Sequence, residues 1–296
     1  MVVEYWQRII GSGMAVPSDR PLTDLTAELV DMLGSPDPTQ RDGVAFDVLA
    51  SWIHAGVYDD LLASLGDSVS RGLTVGLGSK DDDTVFRRSF SALVLAACVE
   101  RDNRAQLLPV DVVMRWAERS LTWFTHERDD RGWVENAGWA HSVAHGADLI
   151  GAIAASRRLD AAHLGVLLDV LAERLASTTA FLHAGEDDRL ALAVLTVVQR
   201  ELLPIDTLET WLETVASLTD QTRHTPLGEA GPTPAAHNAT LLLRALYTHL
   251  SIGIAPSQAS LGFAAAPRTR ADLLLALVGV LPRSSRWLYS SVTSVS

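Results

Sequence analysis

His141 and His145 stand four residues apart, and Asp148 follows three residues later, in the stretch RGWVENAGWAHSVAHGAD at 131–148. On a helix these offsets line three polar side chains along one face. Two imidazoles beside a carboxylate can do metal-free acid–base work. Histidine changes charge near neutral pH, and a neighbouring carboxylate fixes its tautomer and raises its basicity. The same spacing can also place two imidazoles on one metal, with Asp148 or Glu186 as a third ligand. The zinc-protease form of this motif carries Glu directly after the first His; Ser142 holds that position here, which excludes that chemistry. No nucleophile is evident. The one cysteine, Cys98, lies in the apolar run SALVLAACV, and no Gly-x-Ser-x-Gly elbow is present. A phosphate loop and a dinucleotide fingerprint are also missing. No cofactor is predicted; a divalent metal at His141, His145, Asp148 or Glu186 is the alternative.

The elements that must position these groups read as helices almost throughout. Periodicity predicts helices over 3–11, 22–34, 39–55, 58–76, 83–101, 109–126, 139–157, 160–177, 187–202, 205–219, 234–251 and 269–281, with no convincing strand. Gly132, Asn136 and Gly138 make a turn-rich lead-in to the seventh helix. Trp133 and Trp139 flank it, and their large indoles are expected to bury and hold the loop 129–138 against the body. The polar loop QTRHTPLGEAGPTP separates the tenth helix from the eleventh. Twelve helices with short connections predict an all-α fold of stacked antiparallel helix pairs, a HEAT-like α-solenoid or α/α superhelix, with a closed α/α toroid as the competing arrangement. No linker argues for division, so a single helical domain over 1–296 is expected, with a loose tail from about residue 286.

In stacked pairs every second helix points the same way. The odd-numbered helices open with polar groups: Arg41 and Asp42, then Arg88 and Ser89, then His141 and His145, then Glu186 to Arg189, then His237 and Asn238. Their bodies are nearly all apolar, as an inner layer would be. The five openings are therefore expected to share one rim and one cavity. Helix N-termini carry free N–H groups and partial positive charge, so with Arg88 and Arg189 the rim favours an anionic ligand group. Polar residues also gather at N-termini simply to cap. Asp187 and Asp188 are read that way, and Arg41 with Asp42 as a solvated or local pair. His183 and His249 read as ordinary residues. The expected catalytic groups are His141, His145, Asp148 and Glu186. The expected substrate contacts are Arg88, Ser89, Arg131, Trp133, Trp139, Arg189, His237 and Asn238.

Composition narrows the partners. The chain has 296 residues, 48% of them hydrophobic, and a formal net charge of −12. That charge repels phosphate, which argues against nucleic acid and anionic membranes. The longest apolar run, 271–282, falls short of the ~20 residues a bilayer span needs. Glu4 and Arg8 interrupt the apolar N-terminus, which does not read as a signal peptide. A cytoplasmic protein with a small-molecule ligand is expected; its oligomeric state is not readable.

The segments VFRRSFSALVLAACVERD, RGWVENAGWAHSVAHGADLI and GEDDRLALAVL resemble the bacterial domain-of-unknown-function family numbered 2785, from about Asp42 to Tyr247. The middle segment is the most specific. The resemblance implies an all-helical protein in which Arg88, Ser89, Arg131, Gly132, Trp139, His141, His145, Asp148, Glu186 and Arg189 occupy family motif positions. It implies no reaction, and the stretch after about Ser251 departs from it. The residues themselves favour an enzyme of hydrolase, lyase, isomerase or cyclase type acting on an anionic or carbonyl substrate. The alternatives are a helical-repeat module that grips a peptide or protein, and a non-catalytic small-molecule binder.

Overall fold

A computed structural model describes residues 2–220, 233–255, 263 and 265–289. Most of the polar loop before the eleventh predicted helix, and the tail after 289, lie outside the described residues. The chain is all-α. Its helices are α1 (Val2–Gly11), α2 (Leu22–Met32), α3 (Pro38–Gln40), α4 (Asp47–His54), α5 (Leu62–Gly72), α6 (Thr84–Ala105), α7 (Val110–His126), α8 (Ser142–Ala154), α9 (Ala161–Ser177), α10 (Glu186–Gln199), α11 (Ile205–Leu218), α12 (Pro234–Ile252), α13 (Arg270–Val280) and α14 (Arg286–Tyr289). Each of the twelve predicted segments holds a helix, because apolar residues at helical spacing dominate all of them. The third is not uniform. A π-helical turn, Arg41–Phe46, joins α3 to α4. Two strands missed by the periodicity, β1 (Trp133–Val134) and β2 (Gly138–Trp139), form an antiparallel hairpin. Among the described residues no helix is long and apolar enough to cross a membrane.

The chain divides into two compact units, Met1–Arg158 and Leu159–Ser296. The boundary falls in the short turn SRRLD between α8 and α9, which has no Gly or Pro to mark it.

In the first unit α6 packs on α8, α5 and α4, and α7 packs on α8 and α5. Every residue of α8 is buried except Asp148, which is half-buried. A helix buried on nearly every side belongs in a core. Gly146 lets α7 come close: a Cβ there would meet the Phe124 ring at 2.3 Å. Four indoles, Trp6, Trp52, Trp116 and Trp123, are fully buried. Each N–H finds an acceptor: Glu28 Oε1 at 2.7 Å, the Met14 carbonyl at 2.6 Å, Asp67 Oδ1 at 2.9 Å and Glu127 Oε2 at 3.0 Å, respectively. That satisfaction is what makes so large a polar-tipped side chain affordable inside.

In the second unit α10 packs on α12, α9 on α11, and α11 on α13. Contact between next-but-one helices recurs in both units, as layered helix pairs require. Asp160 caps α9 by accepting from His163 N at 3.0 Å, and Thr233 caps α12 by accepting from Ala236 N at 3.2 Å.

Candidate functional site

The hairpin sets the site. Trp133 pairs with Trp139 and Val134 with Gly138. The ladder runs on toward α8, since Ala140 N donates to the Gly132 carbonyl at 2.9 Å and His141 N to the Arg131 carbonyl at 3.0 Å. Strand residues alternate faces, so Trp139 and His141 share one face with Trp133 opposite Trp139. Val134 and Ala140 take the other face and pack on Val85 and Phe86 of α6. The turn uses Asn136 at φ 64° and Gly138 at φ 76°, a left-handed geometry that Asn and Gly adopt with less strain than a branched residue.

His141 ends the hairpin and occupies the N-cap position of α8, with φ 49° and no side-chain capping bond. It is therefore not on the helix, as the spacing predicts, but immediately before it. The two imidazoles still meet. Their ring centroids are 5.6 Å apart and nearly perpendicular. The indole of Trp139 stacks on His141 at 4.1 Å with 20° between planes, and the edge of Trp133 meets Trp139 at 4.8 Å. His145 points inward, 5% exposed, with Phe90 edge-on at 5.0 Å. Trp133 and Trp139 remain 61% and 37% exposed, against the expectation that they bury. The pairing of strands, rather than indole burial, holds this loop.

Arg41 anchors the hairpin from below. Its guanidinium donates to the carbonyls of Ser35 at 2.9 Å and Ala137 at 2.7 Å, and lies over the rings of Phe86 at 4.1 Å and Phe90 at 4.7 Å. Asp42 Oδ1 is 2.7 Å from its Nε. Arg41 is thus a local pair with Asp42 but not a solvated one. Burial lowers the Arg41 pKa and raises that of Asp42, each partner opposing the shift of the other.

Three expected substrate contacts bond to the chain itself. Arg88 is fully buried and donates from Nε and Nη2 to Glu127, and from Nη1 to the Val75 and Gly76 carbonyls at 2.9 and 3.0 Å. Glu127 in turn accepts the backbone N–H groups of Arg128 at 2.9 Å and Asp129 at 3.0 Å. With its donors turned to Glu127, to the Thr84 hydroxyl at 2.7 Å and to backbone, Arg88 anchors the incoming loop. Ser89 is buried and donates to the Phe86 carbonyl at 3.4 Å. Arg131 is tied to Asp129 and to the Asp82 carbonyl, and Asp129 raises its pKa. Asp129 also accepts from Asp81 N at 3.0 Å, while its carbonyl accepts from Ser142 Oγ at the start of α8.

Glu186, Arg189, His237 and Asn238 belong to the second unit. Glu186 is buried after Gly185 and accepts from Ala184 N at 2.8 Å; Arg189 is exposed one turn on. Asn238 accepts from Leu182 N and donates to the Ala180 carbonyl, both at 2.9 Å, so it clips the segment before α10 to α12. His237 meets Phe181 edge-on at 5.3 Å. The N-terminal ends of α10 and α12 therefore gather these four residues, and Asn238 acts there on backbone.

Sequence reasoning missed Arg41, Phe90, Glu127 and Asp129 as builders of the site. Glu127 and Asp129 sit in the charged run HERDDRG, which reads as surface. Among the described residues no group of three or more His, Cys, Asp or Glu is arranged to hold a metal ion.

A family model described as a protein of unknown function, DUF2785, matches residues 73–248. No curated protein and no solved structure matches the chain.

Proposed function

The chain belongs to the DUF2785 family, proteins of unknown function, and from its own residues we propose that it is a small-molecule enzyme in which His141 and His145 do acid–base chemistry. The observation that carries this reading is the edge contact of the two imidazoles at 5.6 Å, at the mouth of a buried helix. One ring can take a proton while its protonated neighbour returns one, so abstraction and return close without net charge. Asp148, one turn beyond His145, is the orienting carboxylate. The indoles of Trp133 and Trp139 offer the substrate a flat apolar wall. With Arg88 engaged by Glu127, a carbonyl substrate is better supported than a strongly anionic one. Hydrolysis, elimination, isomerisation and cyclisation all fit. The net charge of −12 supports a partner other than nucleic acid, and the single buried Cys98 supports a cytoplasmic setting.

The exposed indole pair favours a second reading, a non-catalytic binder using the same wall. One experiment separates them. A panel of small carbonyl compounds is incubated with the wild-type chain and with His141→Gln/His145→Gln, and product is followed by mass spectrometry. Turnover lost in the double variant supports the enzyme. Compounds that bind both proteins without conversion support the binder.

A further inference from the structure

A concavity lies in the first unit, between α2 and α5, with a volume of about 380 Å³. Its floor is apolar, from Leu22, Val30 and Leu65, with the exposed Leu61 at its edge. Hydroxyls of Ser64 and Ser68 line one side. Two opposite charges face the same space, Asp31 from α2 and Arg87 from α6.

Arg87 is half-buried. Its Nη1 donates to the carbonyls of Val30 and, at 3.0 Å, Asp31, the last turn of α2. Nε and Nη2 make no hydrogen bond among the described residues, and no carboxylate there comes within ion-pair distance. Burial lowers the Arg87 pKa, and the charge of Asp31 works against that shift. Asp31 is thus close enough to be felt and too far to pair. A half-buried guanidinium without a counter-ion is costly to keep unless something supplies the charge.

We propose that this groove binds a small zwitterion with an aliphatic side group, its carboxylate on Arg87, its ammonium on Asp31 and its side group on the leucine and valine floor. An aliphatic α-amino acid has this chemistry. A ligand with one charge would satisfy only one of the two residues and leave the other facing a like or missing charge.

The test is titration of the full chain with L-leucine, 4-methylpentanoate and 3-methylbutylamine, followed by amide chemical shifts. The two analogues lack the ammonium and the carboxylate, respectively. Leucine is expected to give saturable shifts at residues of α2 and α5, with each analogue weaker on the order of tenfold, the usual loss for one charged hydrogen bond. Arg87→Met also removes bonds that hold α2, so Ser64→Trp serves as the second variant. It fills the groove from an exposed position and leaves the Arg87 bonds in place. Loss of the leucine shifts in Ser64→Trp is expected. Equal shifts from all three compounds, no saturable shift from leucine, or shifts that survive Ser64→Trp each overturn the proposal.

Discussion

The indole of Trp139 lies face to face with the imidazole of His141, 4.1 Å between centroids and 20° between planes. Strand alternation puts the two on one side of a hairpin whose other side is core. The stack fixes the plane of the outer imidazole, while Phe90 fixes the inner one. Trp139→Ala removes the first constraint. Because Trp139 is partly exposed, its loss is expected to cost far less than the ~3–5 kcal/mol of a buried tryptophan. Turnover or ligand binding is expected to fall nonetheless. Unfolding and activity measured on one preparation check this; a large stability loss with unchanged activity contradicts it.

Arg88 and Glu127 make a buried ion pair that starts the loop. Arg88→Ala leaves Glu127 buried without its partner, which is expected to destabilise by about 3–5 kcal/mol. Glu127→Gln keeps the shape and the acceptor for Trp123 and is expected to cost less. Urea midpoints of the two variants give the comparison. A near-neutral Arg88→Ala would restore Arg88 as a candidate ligand contact.

The loop itself is expected to be held in the unliganded chain. The amides of Ala137, Ala140 and His141 donate to Val134, Gly132 and Arg131. Their hydrogen exchange is expected to be slow relative to unbonded amides of exposed turns. Fast exchange at all three would make the hairpin a mobile lid.

Burial pushes the Tyr58 phenol up to about 12. Its unfolded value is ~10. Between these values the folded chain keeps a proton that the unfolded chain has released, so stability falls as pH rises through that window. Tyr58→Phe is expected to lessen the slope of stability against pH above 10, measured from urea midpoints. An unchanged slope contradicts the assignment.

How much of this was legible in the sequence follows from the range of the interactions. All twelve helical segments could be read, because spacing of apolar residues is a local signal. The hairpin could not, since strands of two residues show no alternation. The pairing of Arg41 with Ala137 joins positions remote in the chain, and the burial of Arg88 depends on Glu127 in a run that looks like surface. His141 and His145 stand out as candidates by residue type and spacing, although the left-handed turn at His141 moves it off the helix.

The central claim is that the two imidazoles serve chemistry and not only packing. His145→Gln tests it most directly, with thermal unfolding and turnover of a carbonyl substrate measured side by side. The claim predicts a cost of about 1–2 kcal/mol, the ordinary range for one buried polar side chain exchanged for another, together with loss of turnover. A drop of about 3–5 kcal/mol, the scale of a broken buried charge pair, or full turnover at normal stability, would contradict it.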